Sequence, residues 1–360
     1  MTARPLIGMM LGWTVRQDLM RACSLAASHY GADFYYFHTR DIKEDTIVGM
    51  QLEDNKWIER EFRYPDVIYD NVRRRGKSLF KEAYRKLERV PMGHTLEGRS
   101  MGKTKVYNLL RGDEDLKRHL IPFMTMRDAE KTLGFIDKHQ QVVLKPDGGA
   151  MGANIFTAES GEDGIQLFDQ QYVHNLNREE TLKTLDLLIA KKYCAQKMIR
   201  SVTPHGYPFH IRVHASKNGQ NQWVIAYKSV TLSLMPHVKI TNSDLTYRGT
   251  STWPDFLLHQ FGEAEGGPMD DSLGEYGIRT AQYLEERIGS GFHELGLDLG
   301  VDAEGKFWLF EAGLGLPRSP YYQMQGSLPA MAYTLYVLAR HRGEPTDSGR
   351  ADGERDAGGR

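Results

Sequence analysis

Short apolar runs alternate with amphipathic stretches along most of the chain. Residues 6–11 form a continuous apolar run, residues 15–30 have apolar positions at helical spacing, and residues 34–37 are again apolar and aromatic. This order predicts a strand, a helix and a second strand. A further strand over residues 66–69 and a charged helix over residues 78–89 follow, so the first part of the chain is predicted to be an α/β unit.

The rest of the chain mixes strands and helices, without an internal repeat. A glycine-rich segment, residues 146–152, separates two predicted strands, so this loop joins strand to strand. Asn218-Gly219 is a turn signal between two alternating segments and predicts a β-hairpin. The predicted helices are 103–110, 129–139 and 274–288, and the predicted strands are 142–145, 154–157, 209–214, 223–234, 295–301 and 306–311.

Composition and charge exclude several classes of protein. The 360 residues are 40% hydrophobic and 26% charged, typical of a globular chain with more than one core. With 46 Lys plus Arg against 47 Asp plus Glu, no general attraction to nucleic acid or to an acidic membrane is expected. Cys23 and Cys194 form no metal-binding pattern, and the apolar start is too short for a membrane span, so a cytoplasmic protein is expected.

Two carboxylates are predicted to face one another across a hairpin. If the chain reverses at Glu304-Gly305, antiparallel pairing places Asp298 directly opposite Glu311 and on the same face of the sheet. Such a pair is repulsive unless a cation lies between the two side chains. Mg²⁺ suits a few oxygen ligands with room left for phosphate oxygens, although a solvated pair on an open sheet face is the alternative.

Cationic residues recur at predicted strand ends. Lys145 precedes the glycines Gly148, Gly149 and Gly152, a pattern that suits phosphate binding as well as an ordinary turn. Residues 98–104 resemble a P-loop, but only three residues separate the glycines where that motif has four. On the strand 209–214, alternation places Arg212 beside two histidines, and an arginine offers a planar fork for phosphate or carboxylate.

The order of these motifs resembles the ATP-grasp fold, with an N-terminal α/β domain. More narrowly, it is similar to the YheC/YheD group of spore-coat-associated ATP-grasp proteins, from about residue 5 to about residue 340. The resemblance implies an N-terminal domain over residues 1–95 and an ATP-grasp domain over 96–340, with subdomains 96–195 and 196–340. Residues 341–360 are expected to be a disordered tail. The segments that carry the resemblance are 66–70, 102–107, 144–146, 209–212 and 294–298.

The resemblance also implies roles for individual residues. Lys103 and Lys145 would contact ATP phosphates under the glycine loop, and Asp298 with Glu311 would bind Mg²⁺. Arg212 and Arg318 are the catalytic candidates, and Arg75 and His210 the substrate-binding candidates. The adenine would lie against the segment of Gln196, Lys197, Met198 and Ile199.

The activity implied is ATP-dependent joining of a small-molecule or peptide carboxylate to an amine through an acyl phosphate. This chain has Gly313 where the family usually has a metal-binding Asn, and His210 where the group tends to have Asp. Two alternatives therefore stay open: a nucleotide-binding structural or regulatory protein of the spore coat, and a small-molecule kinase. A homodimer is the default expectation for the assembly.

Overall fold

The computed structural model describes residues 3–96, 101–148, 154–169, 171–235, 239–241, 247–314 and 318–344. These residues form three sheets of five, six and five strands, with helices packed on them. Within this part of the chain no helix is both long and apolar enough to cross a bilayer.

The N-terminal sheet is a mixed α/β layer. Its strand order is β4-β3-β2-β1-β5, and β1 pairs in parallel with β2 on one side and with β5 on the other. Ile7 and Met9 of β1 pack in one core while Met10 packs in another, so the predicted apolar run is buried on both faces. Its elements are β1 (Leu6–Leu11), α1 (Gln17–His29), β2 (Asp33–His38), β3 (Thr46–Glu53), β4 (Lys56–Arg63), β5 (Val67–Asp70) and α2 (Ser78–Lys86).

The second sheet is antiparallel and has the order β10-β9-β8-β7-β11-β6. Two helices cover it, and both begin at a side-chain cap: Asp128 accepts from the amide of Lys131, and Asn177 forms a capping box with Glu180. Its elements are β6 (Phe123–Thr125), α4 (Ala129–His139), β7 (Gln141–Pro146), β8 (Phe156–Gly161), β9 (Gly164–Phe168), β10 (Val173–Asn177), α5 (Arg178–Ala190) and β11 (Tyr193–Lys197).

The third sheet has the order β14-β13-β12-β15-β16. The predicted hairpin at Asn218 joins β12 to β13, and the second predicted hairpin joins β15 to β16. The helix predicted from residue 274 starts earlier, at Trp253, and bends at Gly262, where φ is 75°. The elements are α3 (Lys103–Leu110), β12 (Phe209–Lys217), β13 (Trp223–Ser233), β14 (Arg248–Gly249), α6 (Trp253–Ile288), β15 (Glu294–Val301) and β16 (Phe307–Gly313).

The last helix, α7 (Gln323–Arg342), returns to the N-terminal sheet. Ala330, Met331 and Leu338 are buried in the same core as Ile7 and Met9. The helix includes residues 341 and 342, which the sequence assigned to the tail, and it ends at Gly343 in a left-handed conformation. The remainder of the predicted tail, from residue 345, lies outside the described residues. The division of the chain near residue 95 stays a prediction.

Candidate active site

A cavity of about 860 Å³ lies between the second and third sheets. Strands β7 and β11 supply one wall, and strands β12, β15 and β16 supply the other. Polar and charged side chains make up about half of the lining, and apolar side chains such as Val143, Ile155, Ile199 and Phe310 make up the rest. Eight of the sequence-predicted site residues line this cavity: Lys103, Lys145, Gln196, Lys197, Ile199, His210, Asp298 and Glu311.

The carboxylate pair has the predicted register. Asp298 is the Cα partner of Glu311, but the pairs nearer the turn, such as Leu299 with Leu309, are one residue out of step. A β-bulge at Phe310 supplies the extra residue and restores the pairing. The predicted pairing of Asp298 with Glu311 across the hairpin is therefore confirmed, although it includes an irregularity in β16 that was not predicted.

Asp298 is buried and paired. Arg212 lies opposite it on β12 and donates two hydrogen bonds to its carboxylate, Nε to Oδ1 at 2.5 Å and Nη2 to Oδ2 at 3.0 Å. Burial opposes ionisation of Asp298, but Arg212, His210 and Lys145 together outweigh it and hold the pKa of this carboxyl below its ordinary value. Asp298 therefore remains a carboxylate at neutral pH.

The two lysines reach the same cavity from different elements. The Nζ of Lys103, at the start of α3, lies 3.6 Å from Oε1 of Glu311 and donates to the carbonyl of Pro146 at 3.2 Å. The Nζ of Lys145, on β7, donates to the carbonyl of Phe310 at 3.0 Å. Burial lowers the pKa of Lys145, because it disfavours the charged ammonium group. The negative charge of Glu311 partly opposes this lowering. Both cations thus lie beside the hairpin carboxylates.

Two features that the sequence did not single out organise this arrangement. Asp147 accepts a 2.7 Å hydrogen bond from the amide of Thr104, and a Cβ on Gly102 would lie 2.6 Å from Oδ2 of Asp147, so any other residue at position 102 would displace this carboxylate. Tyr107 donates to the carbonyl of Leu309 and accepts from Nε2 of Gln196 at 2.5 Å. Tyr107 lies one helical turn after Lys103 and so on the same face of the predicted helix, and this spacing was the signal in the sequence that could have placed it beside the site.

The other predicted site residues, namely His210, Met198 and the loop glycines, do not share one environment. Nδ1 of His210 is 2.7 Å from Oγ1 of Thr241, and burial lowers the pKa of this histidine. Met198 faces a smaller neighbouring cavity lined also by Gln141. Gly148 is exposed with open space around its Cα, whereas Gly149 and Gly152 lie outside the described residues.

The structure does not bring Arg75 or Arg318 to this cavity. Arg75 lies over the ring of Tyr84 and 3.6 Å from Oδ2 of Asp70. Arg318 is buried against Glu294, between the third sheet and the N-terminal sheet. The resemblance assigned a catalytic role to Arg318 and a substrate-binding role to Arg75. In the structure Arg318 instead pairs with Glu294 of β15.

The donor set suits a nucleotide and a divalent ion. Lys103 and Lys145 can neutralise phosphate charge, and Asp298 with Glu311 offers the oxygen ligands that Mg²⁺ prefers. Arg212 does not line the cavity and adjoins it through its pair with Asp298. Mg²⁺ usually keeps several waters, so two carboxylates suffice together with phosphate oxygens. Among the residues that the structure describes, no group of three or more His, Cys, Asp or Glu side chains is arranged to hold a metal ion.

Comparison with known sequences agrees with the sequence analysis. The model of the family described as YheC/D-like ATP-grasp matches residues 94–329. The endospore coat-associated protein YheD of Bacillus subtilis (strain 168) is 23% identical in an alignment 313 positions long that covers 80% of this chain. The match spans 66% of that relative, slightly less than two thirds of its length.

Solved structures share the fold at low sequence identity. The ATP-grasp ligase PsnB, in complex with a precursor peptide and AMPPNP, has a TM-score of 0.51 at 12% identity, covering 93% of this chain and 98% of PsnB. The D-cycloserine synthetase DcsG has a TM-score of 0.51 at 13% identity, covering 93% of this chain and 99% of DcsG. At these identities, the likeness shows the fold alone.

Proposed function

Because the chain belongs to the YheC/D-like ATP-grasp family, we propose that it is an ATP-dependent carboxylate-amine ligase that forms an amide or peptide bond. The observation that carries the proposal is the meeting of Lys103, Lys145, Asp298 and Glu311 in one cavity between two sheets. Ligases among the structural neighbours, including one bound to a peptide, support a small-molecule or peptide carboxylate as the substrate class.

The nucleotide is proposed to occupy the cavity with its phosphates beside the two lysines. Asp298 and Glu311 would hold Mg²⁺, which when bound supplies positive charge against the phosphates. The apolar wall, with Val143, Ile155 and Ile199, suits the adenine ring.

Arg212 is proposed to act on the reacting carboxylate. The terminal phosphoryl group of ATP would be transferred to a substrate carboxylate, giving an acyl phosphate and ADP, and an amine would then displace phosphate. The guanidinium is a fixed bidentate donor that can neutralise charge on the acyl phosphate and on the tetrahedral adduct. It must first exchange its hydrogen bonds to Asp298 for bonds to the substrate, since both Asp298 oxygens now accept from Arg212.

The direct test measures ADP release against a panel of amino acids and peptides, with and without Mg²⁺. We expect release that requires Mg²⁺, a carboxylate and an amine together. A phosphorylated product formed without any amine would favour a kinase instead. Nucleotide binding with no ADP release on any substrate pair would favour a structural or regulatory role in an assembly such as the spore coat.

A further inference from the structure

Asp147 borders a different cavity from the one proposed to hold the nucleotide. Lys103 and Pro146 line the proposed nucleotide cavity. Asp147 instead lines a wide groove along α3, together with Thr104 and Asn108 of that helix. Its carboxylate is therefore placed to influence the nucleotide cavity through the residues that it contacts.

Three hydrogen bonds fix Asp147 between two elements. Its Oδ1 accepts from the amide of Thr104 at 2.7 Å, and its carbonyl accepts from the amide of Lys103 at 3.1 Å. Its own amide donates to the carbonyl of Lys192, the residue before β11, at 3.0 Å. The residue that follows β7 is thus tied to the start of α3 on one side and to β11 on the other.

The first turn of α3 lacks a negative charge of its own. Its N-cap is Gly102, which has no side chain to accept from the first amides, and the turn contains no acidic residue. Lys103 and Lys105 both lie in this turn, where the helix dipole disfavours cations. Helix α4 differs, because it starts at Asp128, whose own side chain caps it. The cap of α3 is supplied by Asp147 from another element.

Gly102 leaves the space that this carboxylate occupies. Its φ of −53° and ψ of 142° form an extended conformation that other residues adopt, so the backbone does not require glycine here. A Cβ at this position would lie 2.6 Å from Oδ2 of Asp147. The glycine is therefore explained by the carboxylate beside it.

From these contacts we infer that Asp147 is a positioning residue for Lys103. By capping α3 it holds the main chain of Lys103, whose Nζ donates to the carbonyl of Pro146 at 3.2 Å and lies 3.6 Å from Oε1 of Glu311. Without the cap, the first amides of α3 lose their acceptor and the turn that carries Lys103 frays. The inference rests on the proposed function, because it takes Lys103 to contact the phosphates of ATP.

The test is titration of the full chain with ATP and Mg²⁺, comparing Asp147→Ala with Asp147→Asn. Asparagine caps helices as well as aspartate does, so it should preserve the turn. We expect Asp147→Ala to weaken ATP binding about fivefold, and Asp147→Asn to stay within about twofold of the unmodified chain. Unchanged affinity in Asp147→Ala, or an equal loss in both variants, would overturn the positioning role.

A second variant keeps the test independent of how well Asp147→Ala folds. Gly102→Ala retains Asp147 but displaces its carboxylate, and the same direction of change in ATP affinity is expected. A Lys103→Met background then identifies the route: Asp147→Ala should cause no further loss there, because both substitutions remove the same phosphate contact. Additive losses would show that Asp147 acts by another route and would refute the inference.

Asp128→Ala is the matched control, because it removes the cap of α4. It should lower the urea midpoint about as much as Asp147→Ala does, yet leave ATP affinity unchanged. An equal loss of ATP affinity in both variants would reveal general destabilisation and overturn the inference.

Lys145→Ala separates this inference from the proposed function. If Lys145→Ala binds ATP as tightly as the unmodified chain, the proposed nucleotide site is wrong and the role of Asp147 is refuted with it. If Lys145→Ala weakens binding and Asp147→Ala does not, the nucleotide site stands and only the positioning role is refuted.

Discussion

A close ion pair beside the proposed nucleotide site joins two residues with different proposed roles. Arg212 and Asp298 are both largely buried, and each satisfies the other with two hydrogen bonds. Breaking a buried pair by removing one partner leaves an uncompensated charge, which typically costs about 3–5 kcal/mol. Substitutions of either residue therefore combine an effect on stability with any effect on catalysis, and they are poor first probes of the site.

Lys145 and Glu311 are cleaner probes of the proposed function. We expect Lys145→Ala to weaken ATP binding about tenfold or more, because a buried cation beside the phosphates is lost.

We expect Glu311→Gln to lower the rate of ADP formation far more than it weakens nucleotide binding, since it removes one proposed Mg²⁺ ligand and keeps the size and shape of the side chain. Nucleotide titration and coupled ADP assays separate these effects.

Lys183→Ala is the control for this pair, because Lys183 lies on the exposed face of α5, away from the cavity, and its ammonium group pairs with Glu179. Turnover and affinity should both be unchanged in this variant. Undiminished turnover in Lys145→Ala and Glu311→Gln together would contradict the assignment of the site.

The buried side chain of His293 makes the free energy of unfolding depend on pH in the acidic range. Burial lowers the pKa of His293 from 6.5 to about 3, so between these values the unfolded chain binds a proton that the folded chain does not. Stability therefore falls as the pH falls through this range, by about 1.4 kcal/mol per pH unit for one such group. We expect the free energy of unfolding, measured in urea, to change less between pH 6 and pH 4 in His293→Phe than in the unmodified chain.

The ring of His293 is stacked 5.0 Å from that of Tyr333, so phenylalanine preserves the aromatic packing. His205→Asn, at an exposed position, is the control and should retain the slope of the unmodified chain. An identical slope in His293→Phe would show that this histidine does not govern the acid response.

Among the elements, the β15–β16 hairpin shows how far sequence reasoning reaches. Alternation along each strand put Asp298 and Glu311 on one face, and the pairing was predicted from the turn. The bulge was not predicted, because periodicity counts residues and cannot tell which one is left unpaired. Its position follows from packing: a Cβ on Gly300 would lie 2.0 Å from the ring of Phe310, so the ring occupies space that only glycine leaves open.

Gly300→Ala is expected to destabilise the fold by about 1–3 kcal/mol, because the new methyl group and the Phe310 ring cannot both keep their places. Nucleotide affinity should fall as well, since Phe310 lines the cavity. The measurements are chemical unfolding and nucleotide titration. In a Phe310→Leu background the cost should be smaller, and an undiminished cost would refute this explanation.

Gly134→Ala is a matched glycine control of opposite sign. Gly134 lies within α4, and a Cβ there would meet nothing within 4 Å. The substitution should therefore stabilise the chain, by roughly 0.5–1 kcal/mol.

At the scale of the whole molecule, α7 is the feature that sequence periodicity could not place. No helix was predicted over these residues, and the sheet on which the helix packs is distant in sequence: Met331 and Met9, which share one core, are 322 residues apart. Arg318, a catalytic candidate from the resemblance, shows the same limit. It pairs with Glu294 of β15, which also accepts from Arg73 of the N-terminal part, so its partners come from segments far apart in sequence.

Truncation after Tyr322 removes α7 and is expected to expose the face of α1 and β1 that it covers. The predicted result is lost hydrogen-exchange protection in β1 and β2, together with a lower unfolding temperature. Truncation after Glu344 removes only residues beyond the described helix and should leave both quantities unchanged. Retained protection in the shorter form would mean that the N-terminal sheet does not need α7.

The return of α7 has a consequence for how the protein is made. While a ribosome is still synthesising the chain, the first sheet has one side whose covering has not yet been translated. That side becomes covered only after residues 323–342 have been translated, so until then chaperone protection of the nascent chain would matter most at this sheet.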